Sequence, residues 1–591
     1  VNQKNDLVKK ALALGVSSYQ SANFPQAKSL FQKVLQLDDN NFYALHFLGI
    51  ILLQEHNYKI AHLLLVKAQS LKPKDAEVAH HLGLAFKGLG DANKASYCFA
   101  KAVKLQPSLA VAHLGYADVV SSMGRYEEAI KAYKTALKYE PTLVKAHNNL
   151  GSIYRKRSEL LKAISCYQAA YDVDPSRLDI FSNILMCMAS EPSVSSEEYL
   201  LKAQVYGEAA RAKVEPYTEW PLLEKRDKPK IRVGLVSGDL RKHSVAYFLK
   251  SWIDKLDNSK VELLAYSNYS DEDEVTEELK SCFTKWNKIT HRSDSDVAQT
   301  IYDDRVNILI DLSGHTAHNR LPLFAWKAAP IQVSWMGFFA STGVAEIDYF
   351  IGDRWNFPDS IASSYVEKPW RLNTSGCFFP PDTGGDVGDL PALKNGYITF
   401  GCFHKITKLN DNVVALWSKI LNQNESSRLV IKDTVFYDAA TQQNIKDRFA
   451  SFGVDPAQID CELGETRDLY FDAYKRIDIG LDPFPFNGGT VSLESLWMGV
   501  PYISLFGDDR ISRRGGAVLY KAGLDQFVAS TEGDYLTIAN SVCADLVSLS
   551  RVRNGLREKV KESKLYNGAL MAKDLESAFS DMWLRYIEKC D

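Results

Sequence analysis

Long apolar runs are missing from this chain of 591 residues. No stretch approaches the roughly 18 uncharged residues that a membrane-spanning helix needs, so helical membrane spans are excluded and no membrane partner is expected. Cysteine is scarce and scattered. The nine, Cys98, Cys166, Cys187, Cys282, Cys377, Cys402, Cys461, Cys543 and Cys590, form no C-x-x-C pair, which argues against a disulfide framework and for a reducing compartment. A dominant charge sign is also absent. Seventy Lys and Arg against 73 Asp and Glu leave a net charge of −3, so nothing electrostatic points to nucleic acid or an anionic membrane as partner. Residues 1–20 lack the layout of a signal peptide, and the expected location is cytoplasmic. The chain begins at Val1 rather than Met, so that expectation covers only the residues present. What is plentiful is ordinary core material, 46% hydrophobic, so disorder is not the expected state, and at roughly 150 residues per domain the length predicts about four compact units, or fewer if a repeat array takes up part of it.

An internal repeat organises the amino-terminal third. Pro73, Pro107, Pro141 and Pro175 are evenly spaced, and small residues keep the same step at Gly15, Gly49, Gly83, Ala117 and Gly151. Ala27, Ala61, Ala95, Ala129 and Ala163 form a further column. A period of about 34 residues with small residues in both helices and a proline after the second is the tetratricopeptide (TPR) pattern. Small side chains let paired helices approach closely, and proline stops the second helix. Residues 1–178 are therefore expected to be five repeats stacked as a solenoid with a groove for a protein or peptide. Residues 179–230 read as a helical cap and linker, ending in the charged run Glu224–Lys230.

A different pattern follows. The β-rich runs IRVGLVSG, VELLAYSN, VNILIDLSG, IQVSWMG and DYFIGD alternate with helical stretches, and after a Gly-, Pro- and Asp-rich linker at 380–396 a second set begins with YITFGCF, SRLVIKD, DIGLDPF and PYISLFG. Alternation of this kind predicts two doubly wound parallel sheets, over 231–385 and 386–591, the latter closed by a C-terminal helix, with ligands at the carboxyl ends of the strands. There the strand RIDIGLDPFPF runs into Asn487-Gly488-Gly489-Thr490 and a short helix. Such a turn brings helix-end N–H groups to an approaching phosphate, and Lys408, Arg510, Arg513 and Arg514 are basic company for it. Asp239 and His243 follow the first strand, and histidine is suited to proton transfer near neutral pH. His315 and His318 suggest an HxxH metal pair, but no third ligand completes it and no metal is expected. The acidic run Asp271–Glu274 reads as a helix start.

Taken in order, SGDLRKHSVAYF, DLSGHTAHNR, AAPIQVSWMGFFASTG, FGCFHKITKLND and DPFPFNGGTVSLESLWMGVP behind TPR repeats resemble glycosyltransferase family 41, which contains the protein O-GlcNAc transferases and the SPINDLY-type protein O-fucosyltransferases. The resemblance implies a GT-B fold and an inverting, metal-independent enzyme that moves a sugar from a nucleotide donor to Ser or Thr hydroxyls of proteins. UDP-GlcNAc is the donor it favours, with GDP-fucose the alternative and a TPR adaptor with a residual GT-B domain a third reading. It implies His243 as active-site histidine and Lys408 as the charge on the leaving diphosphate. It places Asn487, Gly488, Gly489 and Thr490 in the diphosphate loop, Glu494 on the ribose, Tyr470 and Arg467 beside the base, and Arg513, Gln332, His315 and Thr316 around the donor. A homodimer is compatible with it. The sequence departs from the family at Gly337–Thr342, where a Gly-Tyr-Pro-x-Thr segment is common, at Tyr470 in place of histidine, at Arg467 in place of lysine, and at His404-Lys405.

Overall fold

The computed structural model describes residues 2–212, 214–221, 230–374, 376–378, 385–464 and 466–590. Residues 224–229 of the charged run and 380–384 of the expected linker lie outside the described residues. The chain divides into two compact units, Val1–Tyr154 with Ser165–Asp174, and Arg155–Ile164 with Pro175–Asp591.

The first unit is a series of helix pairs: α1 (Asn2–Gln20) and α2 (Phe24–Leu37), α3 (Phe42–Gln54) and α4 (Tyr58–Leu71), α5 (Ala76–Gly88) and α6 (Ala92–Leu105), α7 (Ala110–Ser122) and α8 (Tyr126–Tyr139). Helices α9 (Val144–Lys156) and α10 (Leu160–Val173) make the fifth repeat, whose turn belongs to the second unit. Starts are set by Asn23, Asn41, Asn57, Asp75 and Asp91, whose side chains each accept a backbone N–H of the first turn, satisfying a donor the helix leaves open. The glycine column is a packing requirement. A Cβ on Gly15, Gly49, Gly83 or Gly151 would lie 2.8–2.9 Å from Phe31, Leu65, Phe99 or Tyr167 respectively, closer than unbonded carbons tolerate.

The second unit opens with α11 (Leu178–Met188) and α12 (Ser196–Arg211) and contains two sheets. The first holds β1 (Ile231–Ser237), β2 (Val261–Ser267), β3 (Lys285–Lys288), β4 (Ile308–Asp311), β5 (Ile331–Ser334), β6 (Tyr349–Gly352) and β7 (Lys368–Arg371). The second holds β8 (Thr399–Cys402), β9 (Arg428–Asp433), β10 (Ile459–Leu463), β11 (Ile479–Leu481), β12 (Tyr502–Leu505) and β13 (Val528–Ala529). Their orders are β3-β2-β1-β4-β5-β6-β7 and β10-β9-β8-β11-β12-β13, with all pairings parallel. In each sheet the order reverses once, between β1 and β4 and between β8 and β11, which opens a crevice at the strand ends. Asp273 caps the helix Glu274–Lys280 in a capping box with Thr276, so the acidic run is indeed a helix start.

The C-terminal helix Gly568–Cys590 corrects a boundary. Grouped by sequence with the second α/β domain, it instead puts Met571, Leu575, Phe579 and Met582 into the core of the first sheet, against residues such as Ile231 and Trp252, and Glu576 accepts from the Asp257 N–H at 2.8 Å. The chain thus passes between the domains twice, and the passages touch: the Phe378 N–H donates to the Leu565 carbonyl at 2.8 Å.

Two outcomes follow for the repeat unit. Gly83→Val forces Phe99 aside and should cost about 1–3 kcal/mol, read by denaturant unfolding. Burial pushes His80 down to about 4 and His81 to about 3, whereas the unfolded chain takes up these protons near pH 6.5. The unfolded state therefore binds more protons below pH 6.5, and stability falls as pH drops from there toward 4, by up to about 1.4 kcal/mol per pH unit for each ring. Melting curves at pH 7 and pH 5 check this, and His81→Phe should flatten the difference.

Candidate active site

Both crevices open on one cavity of about 360 Å³. The first domain contributes His243, just after β1, and Trp335–Phe339, just after β5; the second contributes His404, Lys405 and Lys408 after β8, Phe486 and Gly489–Val491 after β11, and Arg510 and Arg514 after β12. The sequence order of these segments explains the convergence, since each follows the carboxyl end of a parallel strand. Met336 has φ of 65°, an uncommon conformation for a non-glycine residue and one that recurs at functional sites.

The turn after β11 is held from below. Asp482, fully buried, accepts the Gly488 N–H at 2.7 Å and the Ser504 hydroxyl at 2.6 Å. A Cβ on Gly488 would collide with Ser492 and His404, so glycine is needed there for space. Above it, Lys408 Nζ donates to the Asn487 carbonyl at 2.8 Å and lies 4.0 Å from the centre of the Phe486 ring. Burial, then the nearby Arg514 charge, push Lys408 down to about 7, while burial pushes Asp482 up to about 6. The helix Thr490–Trp497 starts at this point, so its free N–H groups face the same space. The chemistry on offer is stabilisation of a dianion by two cations and a helix end.

His243 caps α13 (Ser244–Leu249), its Nδ1 accepting the Val245 N–H at 3.3 Å and lying 3.5 Å from Asp239. Burial holds the ring below its ordinary value. A neutral ring that accepts at Nδ1 carries its proton on Nε2, and so offers the cavity a donor.

Beside the cavity, Glu494 is buried, with one oxygen 2.8 Å from Arg467 Nη2 and the other 2.8 Å from the Tyr470 hydroxyl. The expected ribose and base residues are thus brought together across two helices, Arg467 and Tyr470 on Arg467–Ala473 and Glu494 on Thr490–Trp497. Four others are placed elsewhere. Arg513 donates to the carbonyls of Trp355 at 2.8 Å and Gly507 at 3.0 Å, and its neighbour Arg514 lines the cavity instead, because one residue along a helix is a turn of about 100°. His315 is buried, its ring nitrogens 3.1 Å from Ser182 Oγ and 3.0 Å from the Thr342 carbonyl. Gln332 donates to the carbonyls of Phe324 at 2.7 Å and Glu346 at 3.0 Å. Thr316 donates to the Ser313 carbonyl at 2.8 Å. These four brace the cavity's surroundings and are not in its lining. Sequence reasoning passed over Asp482, Phe339 and Phe486. The signal for Asp482 was its place at the end of a strand, directly before the glycine turn.

Two doubly wound sheets facing one cleft define a GT-B-type fold. The chain belongs to glycosyl transferase family 41, whose model matches residues 208–382 and 389–575; TPR models match 76–109, 117–157 and 144–177. It is 35% identical over 381 residues, 64% of this chain, to the probable UDP-N-acetylglucosamine peptide N-acetylglucosaminyltransferase SPINDLY of Oryza sativa subsp. japonica, of which that match covers 41%. To the corresponding SEC protein of Arabidopsis thaliana it is 27% identical over 64% of this chain and 40% of that one. The chain therefore spans about two-fifths of the length of these curated relatives. Among solved structures, a mutant of the Thermobaculum terrenum O-GlcNAc transferase superposes with a TM-score of 0.70 over 100% of both chains at 24% identity, a likeness of fold.

A crowded cation is a burden on the fold that holds it. Replacing Lys408 with an apolar side chain of similar length removes a desolvated charge facing Arg514, so Lys408→Met should raise stability by roughly 1 kcal/mol, seen as a higher melting temperature in the absence of ligand.

Proposed function

We propose that this protein is an inverting, metal-independent protein O-glycosyltransferase that takes its sugar from a nucleoside diphosphate donor. The observation that carries the reading is Lys408 seated on the Asn487 carbonyl at the mouth of the glycine turn, where it meets a diphosphate together with helix-end N–H groups. In the reaction, a Ser or Thr hydroxyl oxygen attacks the anomeric carbon, the bond from that carbon to the phosphate oxygen breaks, the nucleoside diphosphate leaves with the electron pair and its growing negative charge, and the hydroxyl proton is released to water. Lys408 and the N–H groups bind that charge more strongly in the transition state than in the ground state, which is what accelerates the step. His243 orients a polar group through its Nε2–H. Glu494 retains lone pairs for ribose hydroxyls, with Arg467 and Tyr470 fixing it. UDP-GlcNAc is the proposed donor; GDP-fucose is the alternative, which the resemblance to the SPINDLY branch implies. Acceptor proteins dock on the repeats.

Thermal-shift titration with UDP, GDP, UDP-GlcNAc and GDP-fucose tests the donor without an acceptor, since a ligand of the native state raises its melting temperature. Stabilisation by the uridine pair alone is expected; stabilisation by the guanosine pair alone transfers the assignment to GDP-fucose, and no shift with any of the four sinks the reading. Lys408→Ala should abolish transfer to protein, followed by intact mass, and His243→Ala should reduce but not eliminate it. Diphosphate binding should also take up a proton above pH 7. Lys408, pushed down to about 7 by burial, is raised by a neighbouring anion, so affinity falls as pH rises from 7 to 9, and calorimetry in buffers of different ionisation enthalpy reads the uptake.

A further inference from the structure

Among the described residues, Arg514 has no hydrogen-bond or ion-pair partner to explain its place in the cavity lining. Of four arginines near the glycine turn, three donate to protein acceptors: Arg467 to Glu494 at 2.8 Å, Arg513 to two carbonyls, and Arg510 through Nη2 to the Ile351 carbonyl at 2.8 Å, its Nη1 being left without an acceptor among the described residues. Arg514 makes no hydrogen bond or ion pair among the described residues; its guanidinium carbon lies over the Phe339 ring, 4.4 Å from the ring centre. The carboxylate that acts on it, Asp482, already spends both oxygens on Gly488 and Ser504. The position is also built. A Cβ on Gly489 would lie 3.0 Å from Arg514 Cζ, so the guanidinium rests directly on the backbone of the turn. Phe339 packs edge-on to Phe486 with centres 4.9 Å apart, and Phe486 carries Lys408. Lys408 and Arg514 are thus held apart by two rings and face one cavity that Lys405 and Arg510 also line, with Asp482 the one carboxylate acting on both, an excess of positive charge that is costly unless an anionic ligand offsets it.

We propose that Arg514 is a direct ligand of the donor's diphosphate, sharing it with Lys408. The forked guanidinium suits two phosphate oxygens at once, where the lysine acts as a point charge. This inference rests on the nucleotide-sugar reading above.

Isothermal titration of the full chain with UDP, GDP, UMP, GMP, UDP-GlcNAc and GDP-fucose, in wild type, Arg514→Ala and Arg514→Lys, tests it. Loss of hydrogen bonds to a charged group predicts that Arg514→Ala weakens the preferred nucleoside diphosphate by roughly 10- to 100-fold and the monophosphate by less, with Arg514→Lys recovering part of the loss. Undiminished diphosphate affinity in the folded alanine variant overturns the inference alone. So does a loss confined to the nucleotide sugar, which would put Arg514 on the sugar. If wild type binds neither diphosphate, the nucleotide-sugar reading fails first and takes this inference with it. Should the alanine variant lose its fold, Arg514→Gln, which keeps a stem over Phe339, replaces it under the same criteria.

Discussion

The hydrogen bond from the Gly488 N–H to Asp482, 2.7 Å long, fixes the site of the second domain. A carboxylate buried at the end of β11 is costly to desolvate, and Asp482 is accordingly pushed up to about 6 by burial; the Gly488 and Ser504 donors offset that cost by favouring the ionised form. Through this one contact the turn is drawn down onto the sheet edge. Asn487 then presents its carbonyl to Lys408, Gly489 leaves its face open to Arg514, and the helix at Thr490 starts facing the cavity. Each of these placements depends on the turn lying where Asp482 holds it.

The first domain shapes its wall by a different means. Glu367, buried in the loop before β7, accepts from the Ser341 hydroxyl at 2.7 Å and the Thr342 N–H at 2.8 Å, and His315 binds the Thr342 carbonyl from the other side at 3.0 Å. A carbonyl only accepts, so His315 carries its proton on Nε2 and receives the Ser182 hydroxyl at Nδ1. This satisfied polar network makes a loop rigid enough to hold Met336 at positive φ and Phe339 against Arg514. Rigid support of this kind is what a charge-stabilising site requires, because groups that must reorganise during the reaction lose their advantage.

The repeats, the two sheets and the glycine turn were legible because their signals are local: a recurring small residue, a run of β-branched residues, a turn that only glycine fits. Four strands were not. β3, β7, β10 and β13 are the outer strands of their sheets, and three of them, KWNK, KPWR and IDCEL, are polar enough to read as loop; an edge strand is half solvated and often charged, so it carries no buried run to notice. Within the site, the residues whose main chain makes the cavity were well placed, whereas the choice among Arg510, Arg513 and Arg514 depends on helix phase, which three consecutive basic or polar positions do not reveal. His315 and Gln332 illustrate the reverse error. A polar residue beside a strand end looks like a ligand from sequence, yet here its partners are carbonyls of the fold itself.

The side-by-side passages at Phe378 and Leu565 bear on motion. A pair of domains joined by a single strand of chain is free to twist as well as to open, but two adjacent tethers bonded to each other resist twisting and leave bending about the line between them. Movement of one α/β domain against the other therefore resembles the leaf of a door more than a ball in a socket. Lys408 and Arg514 ride on one leaf, and His243 and Phe339 on the other, and a swing that widens the gap has to part the Arg510–Ile351 and Arg513–Trp355 hydrogen bonds that cross it.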